Sequence, residues 1–202
     1  MAKGLFVVLD GPDGCGKSTQ AARLVKRLGE AGRPALHLRE PGGTPAGERV
    51  RSILLDPGVT LGTATEVFLF MAARAQLVEQ VLAPALREGK AVVCERWISS
   101  TIAYQGVAGG FGADNVAAMG VHAIGGIEPD LLVILDVAPE TGLARVKRGL
   151  DRMEKKGIEY HRRVRAGYLA TRSMFPRTAV VDASRQEDAV AADVWALVEK
   201  LE

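Results

Sequence analysis

Five short aliphatic runs punctuate the chain, at Leu5 to Leu9, Ala35 to Leu38, Ala91 to Cys94, Leu131 to Leu135 and Thr178 to Val181. Each is too short for a helix and reads as a strand buried on both faces. Between them the apolar positions recur at helical spacing over Lys17 to Ala31, Ala46 to Leu55, Ala64 to Glu88, Asn115 to Ile124, Pro139 to Arg148, Tyr160 to Met174 and Glu187 to Leu201. Gly32 and Gly89 stand where helices should end, and Pro139 where a first helical turn is expected. Strands alternating with helices predict an α/β fold: a five-stranded parallel sheet flanked by helices, in three layers. The segment from Gly106 to Gly112, with four glycines, reads as an exposed loop. No internal repeat or linker divides the chain, so residues 1–202 are expected to form one domain.

Composition narrows the function only by exclusion. The 26 basic and 24 acidic residues nearly cancel, which argues against a nucleic-acid partner. No uninterrupted apolar run reaches the roughly 18 to 20 residues of a bilayer span, and the N-terminus runs directly into a motif, so the expectation is a soluble, cytoplasmic protein without a membrane partner. Cys15 and Cys94 both lie in segments with other duties and are expected to be free thiols.

That motif is GPDGCGKS at 11–18, which satisfies G-x-x-x-x-G-K-[ST] directly after an apolar strand and before a helical run. Glycines let the backbone curl until successive N–H groups converge on phosphate oxygens, and the following helix adds the positive end of its dipole. Gly11, Pro12, Asp13, Gly14, Cys15, Gly16, Lys17, Ser18 and Thr19 therefore form the candidate site for the phosphates of a nucleotide, which the resemblance given below makes ATP. Lys17 is expected along the β- and γ-phosphates, and the Ser18 hydroxyl on a bridging Mg²⁺. The guanine-reading N-K-x-D is missing, because the one asparagine, Asn115, precedes a valine. This speaks against a GTPase.

Five further blocks accompany the phosphate loop in order: REPGGT at 39–44, FLFMAAR at 68–74, ERW at 95–97, STIAYQG at 100–106 and DRME at 151–154. Jointly they resemble the thymidylate kinase family over nearly the whole chain. The resemblance implies a P-loop NTPase-type, nucleoside monophosphate kinase-like fold with a lid at about 145–157. It further implies phosphorylation of dTMP to dTDP with ATP and Mg²⁺, and a homodimer, for which the apolar stretch from Val67 to Leu86 could supply a face.

Residue roles follow from the same resemblance. Arg51 and Arg96 would hold the dTMP phosphate, Phe70 would stack on the thymine, and Arg74 would reach its O4. Thr101 and Gln105 would be further base contacts, with Tyr104 beside the sugar. On sequence alone Arg51 could equally be a solvated helix arginine, and Phe70 a core residue. Asp13 would organise the acceptor site, and is placed with Lys17, Arg96, Arg148 and Arg152 among the catalytic groups. Glu95 stands where the family more often has aspartate; it is either a second metal ligand beside Ser18 or a strand-end ion-pair partner. His122 and His161 have no ligand-spaced companions and read as surface or packing residues.

The stretch from Arg145 to Arg165 is dense in lysine and arginine, which suits either a solvated helical face or a lid over ATP. Gly14 follows Asp13, so the phosphate loop carries no arginine, and the resemblance hands that task to the lid: Arg148 principally, supported by Arg152. A kinase of another nucleoside monophosphate, or an ATP-binding regulatory protein without turnover, are the competing readings.

Overall fold

The computed structural model describes residues 4–147, 149 and 151–201. Five parallel strands, β1 (Leu5–Asp10), β2 (Ala35–Arg39), β3 (Ala91–Glu95), β4 (Leu131–Asp136) and β5 (Thr178–Asp182), form one sheet in the order β2-β3-β1-β4-β5. Side chains alternate between faces along a strand. Phe6, Val8, Val92, Cys94, Leu132 and Ile134 accordingly enter one core, whereas Leu5, Val7, Leu9, Val93, Leu131, Val133 and Leu135 enter the other. Helices α1 (Lys17–Glu30) and α9 (Glu187–Val198) cover the second face. Against the first pack α3 (Thr63–Leu77), α4 (Ala83–Arg87), α5 (Ile98–Thr101), α6 (Ala113–Ile124) and α8 (Ile158–Thr171). Helix α2 (Pro45–Leu55) packs beside α3, and α7 (Pro139–Arg145) follows β4 and brings Gly142 against the Asp13 backbone. All five expected strands are present, so the three-layer α/β architecture is the one the alternation predicts.

Each strand runs one residue beyond its apolar stretch and ends on a charge: Asp10, Arg39, Glu95, Asp136 and Asp182. All five ends lie at the carboxyl edge of the sheet, where open α/β folds gather their ligands. Hydrophobic patterning thus stops where the chemistry begins.

One expectation needs correction, and a second finding adds to the apolar-run reading. The glycine-rich segment is not wholly loop: α5 continues as a π-helical turn over Ile102–Ala108, and Gly106 is buried in it. A Cβ on Gly106 would lie 3.1 Å from the Cα of Ala113, so this glycine permits close packing against α6. Secondly, Thr63–Arg87 forms a continuous helical rod, α3 and α4 joined by a π-helical turn at Val78–Leu82, which is long and apolar enough by length and composition to cross a membrane. A search for uninterrupted apolar runs passes over it because Glu66, Arg74 and Glu79 interrupt the pattern. Glu66 and Arg74 are both buried: Arg74 lines the pocket described next, and Glu66 accepts from Gln105, which also lines it.

Candidate active site

Phosphate loop geometry starts at Asp10, the last residue of β1. Its fully buried carboxylate accepts from the Gly11 N–H at 2.9 Å, from the hydroxyls of Ser99 and Ser100 at 2.6 Å each, and from Tyr168 Oη at 2.7 Å. Burying a carboxylate is tolerable when its lone pairs are filled in this way. Asp10 thereby fixes the root of the loop to α5 and α8. Gly14 sits at φ 72° with the carbonyl oxygen of Gly142 only 1.8 Å from where a Cβ would be, so no other residue fits there.

Lys17 folds back on the loop, its Nζ donating to the carbonyls of Gly11 (2.7 Å) and Pro12 (2.8 Å) and approaching Cys15 Sγ at 3.4 Å. Cys15 is buried, which pushes its thiol pKa up and leaves little thiolate. Ser18 donates to Glu95 Oε2 at 2.6 Å, and the exposed Thr19 completes the rim. Residues Asp13 to Thr19 line one side of a wide cleft, with Arg145, Ala183, Ser184 and Arg185 on another. There Arg145, the last residue of α7, ties the loop after β5 by donating to the carbonyls of Ala183 and Ser184.

Beside this cleft lies a smaller pocket, lined by Arg51, Phe70, Arg74, Arg96, Thr101, Tyr104 and Gln105. The structure therefore brings together all seven residues expected around the acceptor. Phe70 is half-buried and faces the pocket, not the core. Arg74 is 1% exposed and anchored by Glu40, whose Oε2 accepts from its Nε at 2.7 Å and lies 2.6 Å from Nη2; Nη2 also donates to Thr101 Oγ1 at 3.1 Å. Burial pushes the Glu40 carboxyl up to about 7, with the Arg74 guanidinium opposing the shift. Gln105 donates from Nε2 to Glu66 at 2.8 Å, which fixes its amide and leaves Oε1 buried without a partner among the described residues.

Asp13 joins the two cavities and lines both, as do Glu40, Arg51 and Arg96. Its carboxylate pairs with Arg96 through Oδ1 and accepts from Tyr104 Oη at 2.6 Å through Oδ2. Burial opposes ionisation, but the charges of Arg96 and Lys17 and the Tyr104 hydroxyl outweigh it and hold the Asp13 pKa down at about 2. Tyr104 is thus committed to the phosphate loop, a role beyond the sugar contact expected of it. Arg96 follows β3 at φ 69°, the one non-glycine residue with positive φ among the described residues. Such conformations persist where the surroundings hold them in place, commonly at functional sites. Arg51 donates from Nη1 to the carbonyl of Pro41 at 2.8 Å, and burial together with nearby Arg39 disfavours its charged form. An incoming anion would relieve that crowding.

Arg152 is not brought to the phosphate loop. Its Nε donates to the carbonyl of Leu54 at 2.8 Å and its Nη1 contacts Glu66 at 2.5 Å, while Lys156 reaches the same carboxylate at 3.1 Å. Arg148 lies outside the described residues. His161 is buried, its Nε2 3.2 Å from the carbonyl of Glu154 and its Nδ1 4.0 Å from Asp13 Oδ2.

Sequence reasoning gave no role to Asp10, Glu66 or Tyr168. Their long-range partners carry no local signature, whereas Glu40 stood inside the REPGGT block. A divalent cation fits the donor set at Ser18 and Glu95: a hydroxyl and a carboxylate 2.6 Å apart at the helix start suit a hard ion that takes its remaining ligands from phosphates and water.

Comparison with known proteins agrees with this geometry. The thymidylate kinase family profile matches residues 9–194. The chain is 46% identical over 201 residues to the thymidylate kinase of Deinococcus radiodurans, covering 98% of both chains. It is 44% identical to that of Symbiobacterium thermophilum and 45% identical to that of Pelotomaculum thermopropionicum, each alignment covering 98% of this chain and 94% of the relative. A match over nearly the full length, on a scaffold whose phosphate loop opens beside an arginine-lined pocket, places the chain in the thymidylate kinase family.

Proposed function

We propose that the protein transfers the γ-phosphoryl group of ATP to the phosphate of dTMP, releasing ADP and dTDP. The observation that carries this reading is the junction at Asp13 and Arg96, which line both the phosphate-loop cleft and the arginine pocket. Donor and acceptor phosphates meet there.

Gly11 to Thr19 hold the ATP phosphates, with Lys17 exchanging its two loop carbonyls for phosphate oxygens. Arg51 and Arg96 hold the acceptor phosphate, Phe70 stacks on the base, and Arg74 donates to its O4 from a guanidinium already fixed by Glu40. Thr101 and Gln105 complete the base contacts. Asp13 orients Arg96 and Tyr104 without itself taking up the acceptor's proton at neutral pH. Transfer of this kind asks mainly for positioning and charge neutralisation. Mg²⁺, held by Ser18 and Glu95, would supply further neutralisation of the β- and γ-phosphates when bound.

Residues 145–157 act as a lid that excludes water, with Arg148 as the principal arginine over the transferring group. Arg152 would have to leave Glu66 and Leu54 to support it. The protein is a single domain working in the cytoplasm as a homodimer, through the exposed Phe68 on α3 and Val121 on α6, which are 62% and 61% exposed.

A coupled assay of ADP release with ATP, Mg²⁺ and dTMP, dUMP, dCMP, dGMP, AMP, CMP or UMP tests the assignment. Preference for dTMP is expected. Preference for another acceptor would overturn the thymidylate reading, and binding without turnover would favour a regulatory protein. Glu40 gives a second test. Below about pH 7 its carboxyl takes up a proton, and Arg74 loses the anionic half of its anchor. The value of kcat/KM for dTMP should fall on the acid side of 7 with a component that Glu40→Gln removes, leaving the titration of the substrate phosphates common to both proteins. Superimposable profiles would show that Glu40 does not govern the pocket.

A further inference from the structure

We infer that His37 is a positioning residue for the metal site: by hydrogen-bonding Glu95 from the neighbouring strand, it keeps the carboxylate turned toward Ser18 and the phosphate loop. The inference rests on the reading of Glu95 as a metal-facing group.

Parallel pairing of β2 with β3 sets Arg39 opposite Glu95 and His37 opposite Val93. Because side chains alternate along a strand, residues 37, 39, 93 and 95 share one side of the sheet, with His37 as the diagonal neighbour of Glu95. Its Nε2 lies 2.7 Å from Glu95 Oε1, and Ser18 Oγ lies 2.6 Å from Oε2. An ionised carboxylate only accepts, so Nε2 carries the proton of this contact. One oxygen is taken by the strand and the other is offered to the loop.

Glu95 also forms part of the wall between two openings. On one side is the cleft with Lys17 and Ser18; on the other is a separate groove lined by His37, Leu38, Arg39, Gly43 and Glu48. Glutamate has one more rotatable bond than aspartate. A glutamate at this strand end can therefore turn its carboxylate away from Ser18 and toward Arg39, which stands directly across the ladder and lines both openings. The His37 contact removes that freedom. Hydrogen bonds to a ligating carboxylate commonly set metal affinity, and their loss costs about 10- to 100-fold.

Mn²⁺ serves as the probe, titrated into the full-length protein in the presence of ADP, with the free ion followed by electron paramagnetic resonance. His37→Phe should weaken Mn²⁺ binding about tenfold and leave the KM for dTMP and the melting temperature close to the parent's, since the His37 side chain is 34% exposed. His37→Gln, whose amide nitrogen can donate from a similar place, should restore most of the affinity. Glu95→Gln should weaken binding at least as much as His37→Phe. Unchanged affinity in His37→Phe beside a weakened Glu95→Gln would overturn the positioning role alone. Unchanged affinity in Glu95→Gln would overturn the metal reading of Glu95 and the inference with it. Equal losses in the phenylalanine and glutamine variants of His37 would show that the hydrogen bond is not the cause.

Discussion

Arg74→Ala should lower kcat/KM for dTMP by about a hundredfold and also destabilise the fold, and the two losses have different origins. The catalytic loss comes from removing a charged donor at the base, worth about 1.5 to 3 kcal/mol. The stability loss comes from Glu40, which is 3% exposed and whose carboxylate, among the described residues, is hydrogen-bonded by Arg74 alone. Removing one partner of a buried pair leaves an uncompensated charge, at about 3 to 5 kcal/mol. Glu40 can escape part of this cost by taking up a proton, since its pKa already stands at about 7. The low end, about 3 kcal/mol, is expected at neutral pH, which for a chain of this size lowers Tm by about 6 to 12 °C. Adding Glu40→Gln should recover much of the Tm and none of the kcat/KM. Arg74→Lys should keep part of the stability but lose the forked contact with Glu40 and Thr101. Calorimetry and initial-rate kinetics on the parent and these three variants separate the terms. Full recovery of dTMP kinetics in the double variant would mean that Arg74 does not touch the base.

The contrast between Arg74 and Glu40 shows what was legible in the sequence. Apolar periodicity gave all five strands, because burial on both sheet faces leaves aliphatic runs that little else produces, and it placed the longer helices within a few residues while missing the helical stretch from Ile98 to Ala108. The phosphate loop was legible because its glycines and lysine are fixed by local geometry. That Arg51, Phe70 and Arg74 would share one pocket was legible only through the resemblance: Arg51 and Phe70 have ordinary environments in a helical wheel, and nothing local turns them toward one cavity. Illegible were the residues whose roles depend on partners far along the chain. Asp10 meets Ser99, Ser100 and Tyr168; Glu66 meets Gln105, Arg152 and Lys156. A buried carboxylate is stable only when its lone pairs are filled, and no spacing rule announces which residues will fill them. Arg152 illustrates the limit. Its motif suggested phosphate, whereas Glu66 and the Leu54 carbonyl claim it in this conformation.

Asp13→Asn should reduce turnover by about 100- to 1,000-fold, the scale of losing one preorganised electrostatic contact, with little effect on ATP affinity. The carboxylate lies where the phosphate-loop cleft meets the arginine-lined pocket, and its charge is tolerated because Arg96, Lys17 and Tyr104 surround it. An asparagine keeps an oxygen for the Tyr104 hydroxyl but presents no anion to Arg96, whose positive φ is then less firmly held. Stability should change in a pH-dependent way. The folded pKa of about 2 lies below the ordinary value of 3.8. The ionised form therefore favours folding by about 2 kcal/mol at pH 7. That contribution is present above the unfolded pKa and fades as pH falls from about 4 toward 2, because the unfolded chain binds the proton first. Urea melts of parent and variant should differ by about 2 kcal/mol at pH 7, and the gap should narrow at pH 4 and again at pH 3. A constant gap would trace the destabilisation to packing around residue 13, and parent-like turnover in the variant would remove Asp13 from the reaction.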